Sequence, residues 1–329
     1  MAPMHQALIR DELVDRRRRL EEAMVTLPQA DQLRELMSEV DLVLSRLDAG
    51  TYGLCETCGD PVEPERLAGD PLLRHCLDHL TPRERRALEQ DLQLTWRIQS
   101  TLLPERELRA GSWEATSHYE PAGPASGDCC DVVPLDDGEL FFLLGDVSGK
   151  GLAASMLMSH LQAIFRSLVS LRLPLQEMVE RANRLFCESV GTGSGRYATI
   201  ACGRAHGSGR VDLCNAGHCP PLQVRGGELA SVAPTGLPLG LFGSSPYEVS
   251  TLDLGPGGGL LLYTDGLTES TNRGGEEYGA DRVAGVLRAH ASRPGREIVK
   301  ACLDDVGTFR GGAAQADDLT VLFLRHLAA

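Results

Sequence analysis

Leu140-Phe141-Phe142-Leu143-Leu144-Gly145-Asp146-Val147-Ser148-Gly149-Lys150-Gly151 decides how the larger part of this 329-residue chain folds. A short apolar run closed by a glycine turn reads as a buried strand. The run ends on an acid, so the strand delivers Asp146 at its tip. Leu260-Leu261-Leu262-Tyr263 repeats the arrangement and ends in Thr264-Asp265.

Two further acidic clusters flank these: Gly127-Asp128-Cys129-Cys130-Asp131 and Asp317-Asp318-Leu319-Thr320. Taken singly, each cluster is an ordinary turn or a solvated loop. Four of them gathered at strand tips from distant points of the chain make a hard, oxygen-rich site, which suits Mg2+ or Mn2+ better than zinc. Two such ions about 3.5–4 Å apart share a water, lower its pKa and clamp a phosphoryl group. The glycines of residues 145–151 imitate a nucleotide-binding P-loop but fail on spacing. Only three residues separate Gly145 from Gly149, and Gly151 stands where Ser or Thr would bind magnesium.

The set extends over residues 96–325. It runs from Arg97-Ile98-Gln99 and Leu102-Leu103-Pro104 through Tyr119-Glu120-Pro121-Ala122, Gly127-Asp128 and residues 145–151. Asn215-Ala216-Gly217-His218 with Pro220-Pro221 follows, then Gly236-Leu237-Pro238-Leu239-Gly240, residues 263–269 and residues 317–320. In this order the motifs resemble the SpoIIE/RsbU branch of the PPM (PP2C-like) serine/threonine phosphatases.

The resemblance implies an α+β fold, a PP2C-like β-sandwich flanked by helices. It also implies roles. Asp128, Asp146, Asp265 and Asp317 carry catalysis as ligands of two Mn2+ or Mg2+ ions, with Asp146 bridging and the Val147 carbonyl adding an oxygen. Asp265 and Asp317 hold the second ion. Asp131 and Asp318 orient water or support the ligands, Asp318 counting among the metal residues. A metal-bound hydroxide attacks phosphorus in line, and no phosphoenzyme forms. Cys129 and Cys130 replace the aromatic pair common after Gly-Asp, and Gly258 stands where an acidic turn residue is usual. His218 reads either as a general acid or as a satisfied structural residue, and geometry decides between them. Cys187, Cys202, Cys214, Cys219 and Cys302 read as small buried apolar groups, since none precedes a phosphate-cradling loop.

The first hundred residues have a different character. Leu33, Met37, Val40, Leu44 and Leu47 alternate spacings of three and four, which marks one helix face. Ile9, Leu13, Leu20, Met24 and Leu27 form a weaker stripe, and Pro28 turns the chain between the two helices. Cys55 and Cys58 are separated by two residues, as are Cys76 and His79, with seventeen residues between the pairs. That is a closed four-ligand zinc pattern, structural rather than catalytic. Residues 50–59 with Pro64-Glu65-Arg66-Leu67 resemble the DksA/TraR zinc-finger family, in which a helical hairpin precedes the finger. His79 stands where that family usually has cysteine. The tip near Gln29 to Gln32 carries only Asp31 in place of the paired acids of the family's transcription regulators. Thr81-Pro82-Arg83-Glu84 then opens a helix with a capping box, expected to reach about Leu103 before Pro104. Leu88, Leu92 and Trp96 line one side and Leu94, Ile98 and Leu102 a neighbouring one. So broad an apolar face packs on the catalytic domain or pairs with a second copy.

Three segments are therefore expected: 1–80, hairpin and finger; 81–106, linker helix; 107–329, phosphatase domain. A formal charge of -14 opposes binding to phosphate backbones, and the basic run Arg16 to Arg19 reads as a solvated helix face. The N-terminus shows no signal-peptide core, no run of eighteen apolar residues occurs, and the ten cysteines are scattered. These features predict a cytoplasmic chain with reduced thiols and no membrane contact. The substrate implied is a signalling phosphoprotein such as an anti-sigma-factor antagonist. The competing reading is a non-enzymatic zinc-finger regulator of transcription or stress with a degenerate phosphatase domain.

Overall fold

The computed structural model describes residues 3–26, 31–123, 125–191 and 195–327. The turn expected at Pro28 lies outside them. The chain divides into two compact units, Met1–Asp91 and Leu92–Ala329.

In the first unit, α1 (Pro3–Thr26) and α2 (Asp31–Asp48) bury Ile9, Leu13 and Leu20 against Val40 and Val43. Leu33, Met37, Leu44 and Leu47 pack around them, so the stripe on α2 is the buried face, widened by Val43. Arg17, Arg18 and Arg19 pair with Asp41 and Asp15, which makes the basic run an ion-paired helix surface. Gly50 and Gly53 take positive φ and turn the chain out of α2. The loop that follows returns Tyr52, Cys55, Val62, Leu67 and Cys76 to the same core, and α3 (Pro64–Gly69) lies within it. α4 (Pro82–Leu102) opens on the expected capping box. The Thr81 hydroxyl accepts the Glu84 N–H at 3.2 Å, and the Glu84 carboxylate accepts the Thr81 N–H at 2.8 Å. The unit boundary falls inside α4.

The second unit is a four-layer sandwich. Its elements are β1 (Glu107–Ala110), β2 (Trp113–Glu120), β3 (Asp128–Pro134), β4 (Leu140–Val147), α5 (Leu152–Val169), α6 (Leu175–Val190), β5 (Ala198–Ala205), β6 (Arg210–Ala216), β7 (Leu222–Arg225), β8 (Glu228–Ser231), β9 (Ser250–Asp253), β10 (Gly259–Tyr263), α7 (Asp265–Thr268), α8 (Ala280–His290), α9 (Gly295–Arg310) and β11 (Leu319–His326). One sheet runs β1-β2-β11-β10-β7-β8 and the other β3-β4-β5-β6-β9.

Alternation along β4 explains why its run is apolar throughout. Leu140, Phe142 and Leu144 face the second sheet, where they meet Leu260, Leu262, Leu322 and Leu324. Phe141 and Leu143 face outward, against Met158, Leu161 and Phe165 of α5 and Phe186 of α6. Both faces are covered, so neither takes polar residues. On the other side α8 and α9 cover Leu261, Tyr263 and Phe323. α5 is long and apolar enough to cross a membrane, yet half of it is buried in the sandwich, which accounts for its composition. All ten cysteines are free thiols. Cys129 packs toward α5 and Cys130 between the sheets, as adjacent strand residues must.

Candidate active site

The same alternation aims the acids. Asp128 and Asp146 are cross-strand partners at the ends of β3 and β4, on the parity that faces the space between the sheets. The opposite sheet supplies Thr264 and Asp265 after β10, and Asp317 and Asp318 before β11. The Thr264 N–H donates to the Thr320 carbonyl at 3.0 Å, which locks these two strand ends together.

Asp128 is 1% exposed. Its Oδ2 accepts the Thr264 hydroxyl at 3.0 Å and also the Thr320 hydroxyl. Two hydroxyls from one sheet therefore orient a carboxylate of the other. Asp318 turns the opposite way: its oxygens accept the N–H groups of Ala122 at 2.8 Å and Gly127 at 3.0 Å. Asp318 thus shapes the loop that leads into Asp128.

Two glycines permit this closeness. A Cβ on Gly127 would stand 2.9 Å from the Val147 carbonyl and 3.0 Å from Asp146 Oδ1. On Gly266 it would stand 1.9 Å from the Asp318 carbonyl, so only glycine lets the Asp265 turn settle there.

The electrostatics follow from the crowding. Burial raises Asp128 well above the usual carboxylate range, and the charges of Asp146 and Asp318 add to it. Burial, then Asp265, Asp317 and Asp318, push Asp146 up to about 7. Burial and Asp317 raise Asp265 as well. Carboxylates that resist ionisation because they are buried beside one another are matched by a cation. A donor set of carboxylate oxygens with a nearby backbone carbonyl fits a hard divalent ion. Lys150 brings one positive charge, bonding Asp317 Oδ2 and the Ala316 carbonyl at 2.9 Å each. A hollow of about 250 Å³ opens there, lined by Lys150, Gly151, Gln315, Asp317 and Asp318 among others.

Not every expected residue joins. Asp131 lies on the outer face of β3, 1% exposed, with Oδ2 2.6 Å from Arg166 Nε and Oδ1 2.9 Å from Arg166 Nη2. It ties β3 to α5 and does not reach the acidic mouth, because three residues along a strand reverse the face. His218 is buried, its Nδ1 2.9 Å from the Thr199 hydroxyl, and burial lowers its pKa to about 4. The neutral ring is held through Nδ1, while its Nε2 is buried with no hydrogen-bond partner among the described residues. Thr264, Thr320 and Lys150 stood inside the quoted motifs without a role in the sequence reading. Only Thr264 adjoins an acid; Thr320 and Lys150 sit two and four residues from one, and nothing in that spacing gives them a role.

The cysteine pattern also closes. The ligand atoms of Cys55, Cys58, Cys76 and His79 all lie within 4.8 Å of one another. Cys58 Sγ is 3.8 Å from Cys76 Sγ, and Cys76 Sγ is 3.3 Å from His79 Nδ1. Burial pushes the Cys55 thiol up, but the backbone N–H groups of Cys76, Cys58 and Thr57 outweigh it and bring the thiol below its ordinary value. Three sulfurs and one imidazole at this spacing fit a tetrahedral thiophilic ion.

Comparison with known proteins finds relatives of both parts of the chain. The family described as Stage II sporulation protein E (SpoIIE) matches residues 136–327. Protein IcfG of Synechocystis is 26% identical over 259 residues, 70% of this chain and 41% of that protein. Phosphoserine phosphatase RsbP of Bacillus subtilis is 27% identical over 197 residues, 56% of this chain and 46% of that protein. The chain thus spans less than half the length of these two curated relatives. The RsbU and RsbW domains of Rv1364c from Mycobacterium tuberculosis superpose with a TM-score of 0.58 at 29% identity, over 68% of this chain and 62% of that one. A separate 64-residue match, 33% identical, is to the RNA polymerase-binding transcription factor DksA of Haemophilus influenzae, over 20% of this chain and 44% of that protein.

Proposed function

The chain belongs to the SpoIIE family of PP2C-like phosphatases, and from that membership we propose that it removes phosphate from phosphoserine or phosphothreonine in a cytoplasmic signalling protein. An anti-sigma-factor antagonist is the kind of substrate the family favours. The observation that carries the reading is the acidic mouth: Asp146, Asp265 and Asp317 come from three separate strand ends, and burial together with the charge of Asp317 raises the proton affinity of Asp146 and Asp265.

In this reading Asp128, Asp146 and the Val147 carbonyl hold one Mn2+ or Mg2+ ion, and Asp146, Asp265 and Asp317 hold another. Bound there, the ions would supply an activated water and neutralise charge on the phosphoryl group. Thr264 and Thr320 fix the rotamer of Asp128, and Asp318 holds the loop before it. Lys150 brings a positive charge to the rim where a phosphate enters. Catalysis then consists of positioning and charge stabilisation. Cys55, Cys58, Cys76 and His79 hold one structural zinc.

The test is hydrolysis of p-nitrophenyl phosphate. Activity is expected to vanish in EDTA and to return with Mn2+ or Mg2+ but not with zinc. A well-folded chain that hydrolyses nothing in saturating Mn2+ would leave the zinc finger as the working part and sink the phosphatase reading.

α4 is assigned a second role, pairing with another copy of the chain. Its C-terminal half is anchored to its own catalytic unit. Gln99 is buried and its amide bonds the Ser126 carbonyl at 2.9 Å, while Trp96 stacks on Tyr119 at 6.2 Å. Leu94 and Ile98, one turn apart, remain exposed. Light scattering on the wild type and on Leu94→Glu with Ile98→Glu checks this. A dimer converted to monomer is expected, and a wild type already monomeric at micromolar concentration removes the assignment.

A further inference from the structure

We propose that the loop of residues 236–242 is the docking edge for the substrate protein, and that it selects a phosphorylated segment with apolar side chains beside the phosphoserine. This rests on the phosphatase reading and deepens it. Gly236-Leu237-Pro238-Leu239-Gly240 belongs to the family pattern, yet none of these residues lines the hollow beside Lys150.

The loop is fixed. Leu239 is buried and exchanges two backbone hydrogen bonds with Ala198, at 2.8 and 2.9 Å. Asn183 of α6, 1% exposed, uses both ends of its amide on the loop. Its Oδ1 accepts the Gly240 N–H at 3.0 Å, and its Nδ2 donates to the Phe242 carbonyl at 2.8 Å. A buried amide bonded at both ends specifies one conformation. That conformation holds large apolar side chains in water: Leu237 is 51% exposed, Leu241 43% and Phe242 59%. Surface loops are ordinarily polar, and a rimmed apolar patch on a rigid loop marks a contact surface.

Its place says what covers it. β4 carries Asp146 and pairs with β5, and the loop pairs with the start of β5 through Ala198. Tyr197, 38% exposed, lies between them. Its N–H donates to the Ser148 hydroxyl at 2.9 Å, and its carbonyl accepts the Ser148 N–H at 2.8 Å. The acidic mouth, Tyr197 and the loop are therefore successive strips of one rim. A protein whose phosphoserine sits in the mouth lies across that rim. Residues 236–247 carry no charge, so the contact is apolar rather than ionic.

The experiment uses two peptides of equal length and charge that carry a non-hydrolysable phosphonate in place of phosphoserine. One is flanked by Leu and Val, the other by Ser and Asn. Fluorescence anisotropy with the Mn2+-loaded full chain is expected to show at least tenfold tighter binding of the apolar peptide. Leu237→Asp with Phe242→Asp is expected to erase that preference while p-nitrophenyl phosphate hydrolysis stays at the wild-type rate, which reports an intact fold. Phe242→Ser alone serves as a milder variant and is expected to reduce the preference. Equal affinity for the two peptides in the wild type, or a preference that survives in both variants, overturns the proposal. Loss of p-nitrophenyl phosphate hydrolysis in the wild type strikes the phosphatase reading instead, and anisotropy still decides the docking edge.

Discussion

The cysteine cluster and the acidic mouth are built on opposite plans. The cluster draws four ligands from residues 55–79, in turns that fold onto one small core. Its donors are soft, and all four positions are protein, so a bound ion is closed off from substrate. The mouth gathers oxygens from residues 128, 146, 265 and 317, carried by strand ends of two different sheets. Its donors are hard and mutually repulsive, and at Asp317 they border a hollow beside Lys150. A closed local site stabilises a segment too small to hold itself. An open distributed site depends on a fold that is already stable and leaves room for a reacting group.

Asp265→Ala breaks the comparison hardest if it is wrong. Removing one carboxylate from the mouth should lower hydrolysis of a phosphate ester by about a hundredfold or more. Zinc content measured by elemental analysis should not change. Activity within a fewfold of wild type would mean that the mouth is not the reaction centre. Cys76→Ser probes the other plan. Zinc should fall from one per chain to none, and the segment up to Asp91 should become sensitive to protease. Hydrolysis of the small ester should persist. If it collapses together with the zinc, the two sites are coupled and do not stand independently.

A smaller effect sharpens the picture of the mouth's surroundings. His218 titrates near 6.5 when unfolded and is lowered to about 4 by burial. Between those values the unfolded chain takes up the proton first, so the stability that His218 contributes is present above about pH 6.5 and is lost as pH falls through 4. The unfolding free energy of wild type minus that of His218→Asn, followed by urea titration, should therefore shrink across that window. A difference that is flat with pH would place a charged His218 in the fold and reopen its reading as a proton donor.

The legibility of each site tracks its plan. Cys55, Cys58, Cys76 and His79 could be read because ligands on adjacent turns keep a fixed sequence spacing, and the capping box at Thr81 and Glu84 is likewise a local rule. Asp146 and Asp265 could be read as strand tips, since apolar runs ending in Asp announce themselves, whereas Asp128 and Asp317 stand at or before the start of their strands and were legible only as members of the set. The sequence also determined the stripe of α2, because helical period and burial coincide there. Of the weaker α1 stripe Ile9, Leu13 and Leu20 are in the core, Met24 is not, and Leu27 lies outside the described residues. What tertiary structure alone decided is which acid does what. Asp131 and Asp128 sit three residues apart, yet the pleat turns one toward Arg166 and the other toward Thr264 and Thr320. Asp317 and Asp318 are neighbours, yet one pairs with Lys150 and the other holds two backbone N–H groups of a loop nearly two hundred residues away. The exposure of Phe242 on a pinned loop has no signature in composition at all. Partners distant in the chain are brought together by sheet pairing, and a side chain's role follows from the partner it meets, which spacing along the sequence does not encode.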